Sequence, residues 1–253
     1  FRPVLQFVNY DEIIKDFNLG KSIDLFYWPT PNGWKVSIAL EEMRLPYRTV
    51  AVNINRGDQF EESFLKICPN NRIPAIKDYD GPENKEICLF ESGAILHYLA
   101  LKTGSFIGDS DSDYHETMKW LMWQMGSTPF VGGGFGHFYA YAPEKLEYPI
   151  NRYAMETKRL LDVLDKNLGK RQFLCGEEYN IADIANYSWY GYLVLHNAYQ
   201  ASEFLDVYSY KNVVRWAKEI EERPAVQRGR RVNRPWGDEK TRVLERHSSA
   251  DFN

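Results

Sequence analysis

The 253-residue chain sets 31 Lys and Arg against 35 Asp and Glu, a formal charge of −4, and is 44% hydrophobic and 26% charged. That balance gives no general attraction to nucleic acid or to anionic membranes, and no apolar run reaches transmembrane length. The length suits one large domain or two ordinary ones, with enough apolar residues for a sizeable core.

Aromatic residues make up 15%, including 7 Trp and 17 Tyr, which reads as a ring-rich core and interface. Three cysteines, Cys68, Cys88 and Cys175, form no C-x-x-C pair. An odd, sparse count argues against a disulfide framework and for the reducing cytoplasm. No basic head with an apolar centre marks a signal peptide. The chain begins at Phe1 and not at Met, so we expect residues upstream.

Residues 1–21 read as an arm of mixed character. Ile23, Leu25 and Tyr27 then alternate, the period of a strand. After "WPTPNG" the period changes. Val36, Ala39, Leu40 and Met43 share one face of a helix beginning at Gly33 and stopped by Pro46. Val50, Val52 and Ile54 alternate as a second strand. A short helical pattern surrounds Phe60, Phe64 and Ile67. "IPAIKDY" and "ICLFE" read as two strands joined by the turn "DGPEN". In "ESGAILHYLALKTG", Ser92 suits an N-cap and Gly104 a C′ stop.

The order is therefore β-α-β-α-β-β-α over about the first hundred residues. From Asp109 the strand signals fade, and "HETMKWLMWQMG", "YPINRYAMETKRLLDVLDKNLG" and "YKNVVRWAKEIEERP" carry helical spacing. "YNIADIA" offers Asn180 as an N-cap with Asp183 three residues on, and Tyr179 with Ile184 as a staple. We expect an α/β domain over 22–107, an all-α domain over 113–236, and a polar tail over 237–253.

Three short stretches suggest chemistry. The strand-to-helix join "TPNG" would present backbone N–H groups and the positive end of a helix dipole, which favour a thiolate. Thr30 could add a hydroxyl and Asn32 an amide. Equally, these are turn residues, and Asn32 could simply cap the helix. In "NNRIPAI", Pro74 could be cis and free the Ile73 backbone for a peptide-like ligand, or be a plain edge-strand proline. At "ESGAI", Ser92 suits a carboxylate and Glu91 an ammonium, so the pair suits an α-amino acid end; a ligand-free capped helix is the simpler alternative.

Taken in order, "TPNG", "RGDQF", "PNNRIPAI", "ESGAI", "WQMGSTPFVGGGFGHFYAYAPE" and "RPAVQRGRRVNRPWG" resemble the glutathione transferase superfamily over residues 23 to about 235. The resemblance is closest to the class-nu transferases and their bacterial disulfide-bond oxidoreductase relatives, with the fungal nitrogen-regulator prion proteins next. It implies a thioredoxin-like first domain and an all-α second domain, a homodimer, and glutathione as co-substrate. It places Thr30 and Asn32 at the glutathione sulfur and Gln59 near the glycyl end. It places Arg72 and Ile73 along the peptide, and Glu91 with Ser92 at the γ-glutamyl end. Arg152, with His137 and Tyr139, falls where a second glutathione or the far half of a disulfide would lie. Trp28 and Trp34 are departures that could narrow the sulfur site. The arm, with Val4, Leu5, Phe7 and Val8, is a candidate to clasp a partner subunit.

Other signals are set aside. "VGGGFG" follows no strand and fits neither dinucleotide nor phosphate-loop spacing, and reads as a mobile pocket wall. His97, His115, His137, His196 and His247 lack ligand spacing, so no metal is expected. "QRGRRVNR" reads as a solvated helix end. Cys68 sits at a helix C-terminal end, where the dipole disfavours a thiolate, and Cys88 reads as a small core residue. The expected function is glutathione-dependent disulfide reduction, with possible organic peroxidase and weak conjugating activity. The attacking thiolate would come from glutathione. The alternative is a non-catalytic glutathione-binding regulatory protein of the same fold.

Overall fold

A computed structural model describes residues 23–234 and 246–252. The proposed partner-clasping arm, residues 1–21, lies outside the described residues. Contacts divide the chain into two compact units, residues 1–99 with 228–253, and residues 100–227.

The first unit is built on β1 (Ile23–Tyr27), β2 (Tyr47–Ala51), β3 (Ala75–Asp78) and β4 (Ile87–Phe90). The sheet order is β2-β1-β3-β4, with β1 and β2 parallel and the other two pairs antiparallel. β1 is central and every residue of it is buried. Phe26 packs with Val50, Val52, Phe64, Ile67, Cys68 and Ala75 in one apolar cluster. Buried Asp24 is satisfied by Arg48 at 2.6 Å and by the Tyr79 hydroxyl at 2.8 Å. Three helices accompany the strands: α1 (Pro31–Glu42), α2 (Glu62–Leu65) and α3 (Ser92–Thr103). The β-α-β-α-β-β-α order expected from periodicity is the observed one.

Four local expectations need correction. α1 starts at Pro31, two residues before Gly33, because Thr30 takes the capping position. β2 runs Tyr47–Ala51, ahead of the expected stretch, since Tyr47 pairs opposite Ile23 and Ile54 is exposed. Cys88 is exposed and not core, because β4 is an edge strand with only alternate residues half-covered. The basic run around Arg228 is not a solvated helix end. Ser37 Oγ donates to Gly229 O at 2.6 Å, Val232 is fully buried, and the Arg230 guanidinium lies 5.3 Å from the Trp34 ring centre.

Glu41 explains much of that return. It is 4% exposed and accepts from Tyr47 Oη at 2.9 Å, Arg228 Nε at 3.2 Å and Arg246 Nε at 2.8 Å. A buried carboxylate persists only when paired. Both arginines come from the last part of the chain.

The second unit is helical. α4 (Asp111–Pro129) runs directly into a π-helical segment, Phe130–Tyr141, and α5 (Glu147–Leu168) follows. Leu160, Leu161, Leu164 and Leu168 of α5 are buried, as their spacing predicts. Short helices α6 (Ile181–Asn186), α7 (Tyr192–Leu195) and α8 (Ser202–Leu205) precede α9 (Lys211–Glu221), and α10 (Pro224–Gly229) follows. The glycine-rich run, expected as a mobile pocket wall with His137, Phe138 and Tyr139, is helical. It is the π segment itself, and Ala142 N–H closes onto His137 O, five residues back, at 2.7 Å. A Cβ on Gly132, Gly134 or Gly136 would meet the rings of Trp189, Tyr153 and Tyr199 at 2.4–2.5 Å. Three of the four glycines, Gly132, Gly134 and Gly136, are seats for aromatic rings.

Candidate functional site

The join between β1 and α1 is fixed by close approach. A Cβ on Gly33 would stand 2.3 Å from Trp28 O, so only glycine lets the chain turn this tightly. Thr30 is the N-cap of α1: its hydroxyl accepts from Gly33 N–H at 3.5 Å, and its carbonyl from Trp34 N–H at 2.9 Å. Pro31 takes the first helical position, where its missing N–H costs nothing. Asn32 thus sits in the first turn and not at the cap.

A cavity of about 200 Å³ opens beside Asn32. Arg72, Ile73 and Pro74 form another wall, and Glu91 with Ser92 a third, with Phe90 and Asn70 between. The Ile73–Pro74 peptide is cis. Ile73 makes no backbone hydrogen bond among the described residues, so its N–H and C=O are available to a ligand. Glu91 precedes α3 with φ of 70°, a left-handed conformation unusual for a residue with a side chain. Such backbone strain concentrates at functional sites. Its exposed carboxylate accepts from Asn70 Nδ2 at 3.4 Å. Ser92 is 7% exposed and opens α3, where the helix dipole favours an anion.

One residue behind the wall was missed in the sequence. Lys35 of α1 is 1% exposed, and its ammonium donates to Ser92 Oγ at 3.2 Å. Burial pushes its pKa down to about 7, against a smaller upward pull from the Glu91 charge. Lysines on helices usually face water, so spacing gave no signal beyond its place on the helix carrying "TPNG".

Of the residues expected at the peptide site, Asn32, Arg72, Ile73, Glu91 and Ser92 share this cavity. Thr30 and Gln59 are not among its walls. Gln59 follows Gly57, which has φ of 86°, and its Oε1 is buried without a partner among the described residues. Cys68 is on the wall but fully buried, and its thiol donates to Arg72 O at 3.2 Å. The other thiols are also poor nucleophiles. Desolvation raises the Cys88 pKa, and burial pushes that of Cys175 up to about 11.

In the second unit, Tyr139 lines an apolar cavity of about 450 Å³ with Ile150 and Phe204. His137 and Arg152 do not line it. His137 is exposed against the edge of Phe138, and Arg152 is exposed, 3.9 Å from Glu156. A larger cavity of about 600 Å³, lined by Asp109, Asp113, Glu177 and Glu178, holds none of the expected residues. No group of three metal-ligating side chains occurs among the described residues, and no described helix is long and apolar enough to cross a membrane.

Comparison with known proteins follows this division. Residues 21–101 match the glutathione S-transferase N-terminal domain, and residues 117–224 match the glutathione S-transferase C-terminal domain. The disulfide-bond oxidoreductase YghU of Escherichia coli is 50% identical over 245 residues, 94% of this chain and 84% of its own. A glutathione transferase YghU from Streptococcus pneumoniae, solved with glutathione, superposes with a TM-score of 0.82 at 49% identity, covering 85% of this chain and 84% of its own. A Pseudomonas fluorescens family member, solved with two glutathiones bound, gives 0.81 at 43% identity, covering 86% and 96%.

Proposed function

The chain belongs to the glutathione transferase family, and from that premise we propose that it is a glutathione-dependent disulfide-bond reductase. The observation that carries this reading is the convergence of Asn32, the unbonded Ile73 backbone and the Glu91–Ser92 pair on one cavity. That set fits a γ-glutamyl peptide. Glu91 faces an ammonium, Ser92 a carboxylate, Ile73 a peptide amide and carbonyl, and the start of α1 a sulfur.

Bound glutathione supplies the thiolate, which attacks one sulfur of a disulfide and expels the other as a thiolate that takes a proton from water; a second glutathione then repeats the attack and leaves as glutathione disulfide. The protein's part is to hold and lower the proton affinity of that sulfur. The first turn of α1 presents the positive end of its dipole. Asn32 adds an amide donor to the developing charge, and Thr30 fixes the turn. No protein thiol takes part, which agrees with a buried Cys68 and with the raised proton affinities of Cys88 and Cys175. Gln59 is assigned to the glycyl end on its unpartnered buried oxygen, and Arg72 to the peptide. Arg152, His137 and Tyr139 are assigned to a second glutathione or the outer half of a disulfide, on the resemblance and the apolar cavity beside Tyr139.

The same reading includes organic peroxidase activity and slow conjugation. It also includes the cytoplasm, which suits three free cysteines, and a homodimer, which suits exposed Leu101, Met122 and Phe130. Light scattering at micromolar protein checks the dimer. The central test is turnover with glutathione and a small disulfide, set against an aromatic halide. Disulfide reduction is expected to dominate, and in a variant with all three cysteines replaced it is expected to persist. Faster halide conjugation, or loss of reduction with glutathione binding intact, would overturn the reading.

A further inference from the structure

Asn70 has no part in the reading above, yet it shares the wall of the cavity of about 200 Å³ with two opposite charges, Arg72 and Glu91. A guanidinium and a carboxylate on one small cavity pair readily. Among the described residues, however, neither makes an ion pair. Glu91 Oε1 accepts instead from the Asn70 amide, at 3.4 Å from Nδ2.

We propose that Asn70 is the positioning residue for Glu91: its neutral amide holds one carboxylate oxygen, keeps the acid from closing onto Arg72, and leaves its charge for the γ-glutamyl ammonium of glutathione. This rests on the reading of the cavity as a glutathione site. The turn that carries Asn70 is pinned on both sides. Asn71, with φ of 46°, donates its N–H to Cys68 O at 3.0 Å, and the buried Cys68 thiol donates to Arg72 O at 3.2 Å. Asn70 and Arg72 are thus set at fixed points of one wall. The main chain at Glu91 is held too, since its carbonyl accepts from Ile95 N–H at 3.0 Å. With both backbones fixed, the direction of the Glu91 side chain is what remains to be set. A carboxylate offers about four acceptor sites on two oxygens. Asn70 takes one of them, and the others stay open to a donor in the cavity. The kind of donor matters. A lysine or arginine at position 70 would neutralise Glu91, whereas an amide orients the carboxylate and leaves its full charge. The Glu91 charge also acts on buried Lys35. Two cations therefore compete for this acid, and a fixed direction is what keeps it on the ligand.

The test compares two ligands on wild type, Asn70→Ala, Glu91→Gln and the double variant. One ligand is glutathione. The other is its analogue lacking the γ-glutamyl α-amino group. Calorimetric binding is expected to show Asn70→Ala weakening glutathione about 3- to 10-fold while leaving the analogue within about twofold. Added to Glu91→Gln, it should weaken glutathione little further, and beside Arg72→Gln it should cost less than it does in wild type. In turnover, the KM for glutathione should rise by a similar factor with kcat nearly unchanged. Asn70→Gln, which keeps an amide donor, should restore part of the loss. Asn70 is exposed, so the variants should melt with wild type. No effect of Asn70→Ala, equal weakening of both ligands, or losses that add fully to those of Glu91→Gln would overturn the proposal alone. If neither Ser92→Ala nor Glu91→Gln alters glutathione binding, the cavity reading falls and the proposal with it.

Discussion

Two helix starts in this molecule use similar residues to opposite ends. At α6, Asn180 Oδ1 accepts from Ala182 N–H at 2.9 Å, and Asn180 N–H donates to Asp183 Oδ2 at 3.1 Å. The other oxygen of Asp183 accepts from Leu174 N–H at 3.0 Å and Trp216 Nε1 at 2.8 Å. Every contact is internal and Asp183 is fully buried. At α3, Glu91 and Ser92 stand at the same kind of position. Glu91 is exposed, its backbone is left-handed, and Ser92 leans on a buried lysine. An acid that caps its own chain stabilises the fold, whereas an acid left facing a cavity keeps its bonding capacity for something else. A closed start and an open start differ in what surrounds them and not in residue type.

Five substitutions would break or sharpen that contrast. The largest effect is expected for Asp183→Ala. It strands two backbone donors and an indole in the interior, at about 1–3 kcal/mol each. Urea denaturation should show a loss of about 4 kcal/mol, with the glutathione affinity of the remaining folded protein unchanged. A loss below about 1 kcal/mol would mean the closed start is not structural.

Lys35→Met comes next and has the opposite sign. The folded pKa of Lys35 is lowered from 10.5 to about 7. Between those values the unfolded chain binds a proton that the folded chain does not, so this group makes stability rise with pH. Removing it should raise unfolding free energy by about 2–4 kcal/mol at pH 7, with the gain shrinking toward pH 10.5. Thermal melts across that window check the slope, and a variant less stable at pH 7 would contradict it.

The start of α1 places a capping residue and a cavity residue within a single turn. Thr30→Ala should lower stability by about 1 kcal/mol through loss of the cap. Asn32→Ala should leave stability alone and lower the rate constant by about 1.5–3 kcal/mol, the worth of a donor to a charged atom. Paired melts and single-turnover rates test the split, and a reversed ordering of the two rate effects would undo it. Smallest is Glu91→Gly, which relieves a left-handed backbone worth about 1 kcal/mol. It should melt no lower than wild type while binding glutathione more weakly. A lower melting temperature with intact binding would place Glu91 among the closed caps.

Much of this was legible in the residues. Alternation in β1, the leucine spacing of α5 and the Asn180–Asp183 pair are local signals, and local hydrogen bonds and faces satisfy them. Asn32, Ile73, Glu91 and Ser92 stood out because turn and cap residues are few and positioned. What escaped depends on partners distant in sequence. Lys35 reaches the site only through Ser92, 57 positions away. Cys88 looked like core because "ICLF" is apolar, but sheet order decides which strand is the edge. Arg228 looked solvated because Glu41, its partner, lies 187 residues earlier. Glycine-rich "VGGGFG" suggested looseness, since sequence does not say which rings will fill the missing side chains.

The pairing of Glu41 has a bearing on synthesis. A chain emerging from the ribosome presents β1 to β4 first, and domains near the start generally fold first at about 5–20 residues per second. Here the strands are made long before Arg228 and Arg246 appear. Until then Glu41 has neither arginine, and Ser37 lacks the Gly229 carbonyl it donates to. The first unit is therefore finished only after the helical residues have been translated. Synthesis of Arg228 and Arg246, not the appearance of the sheet, completes the surroundings of Glu41 on α1.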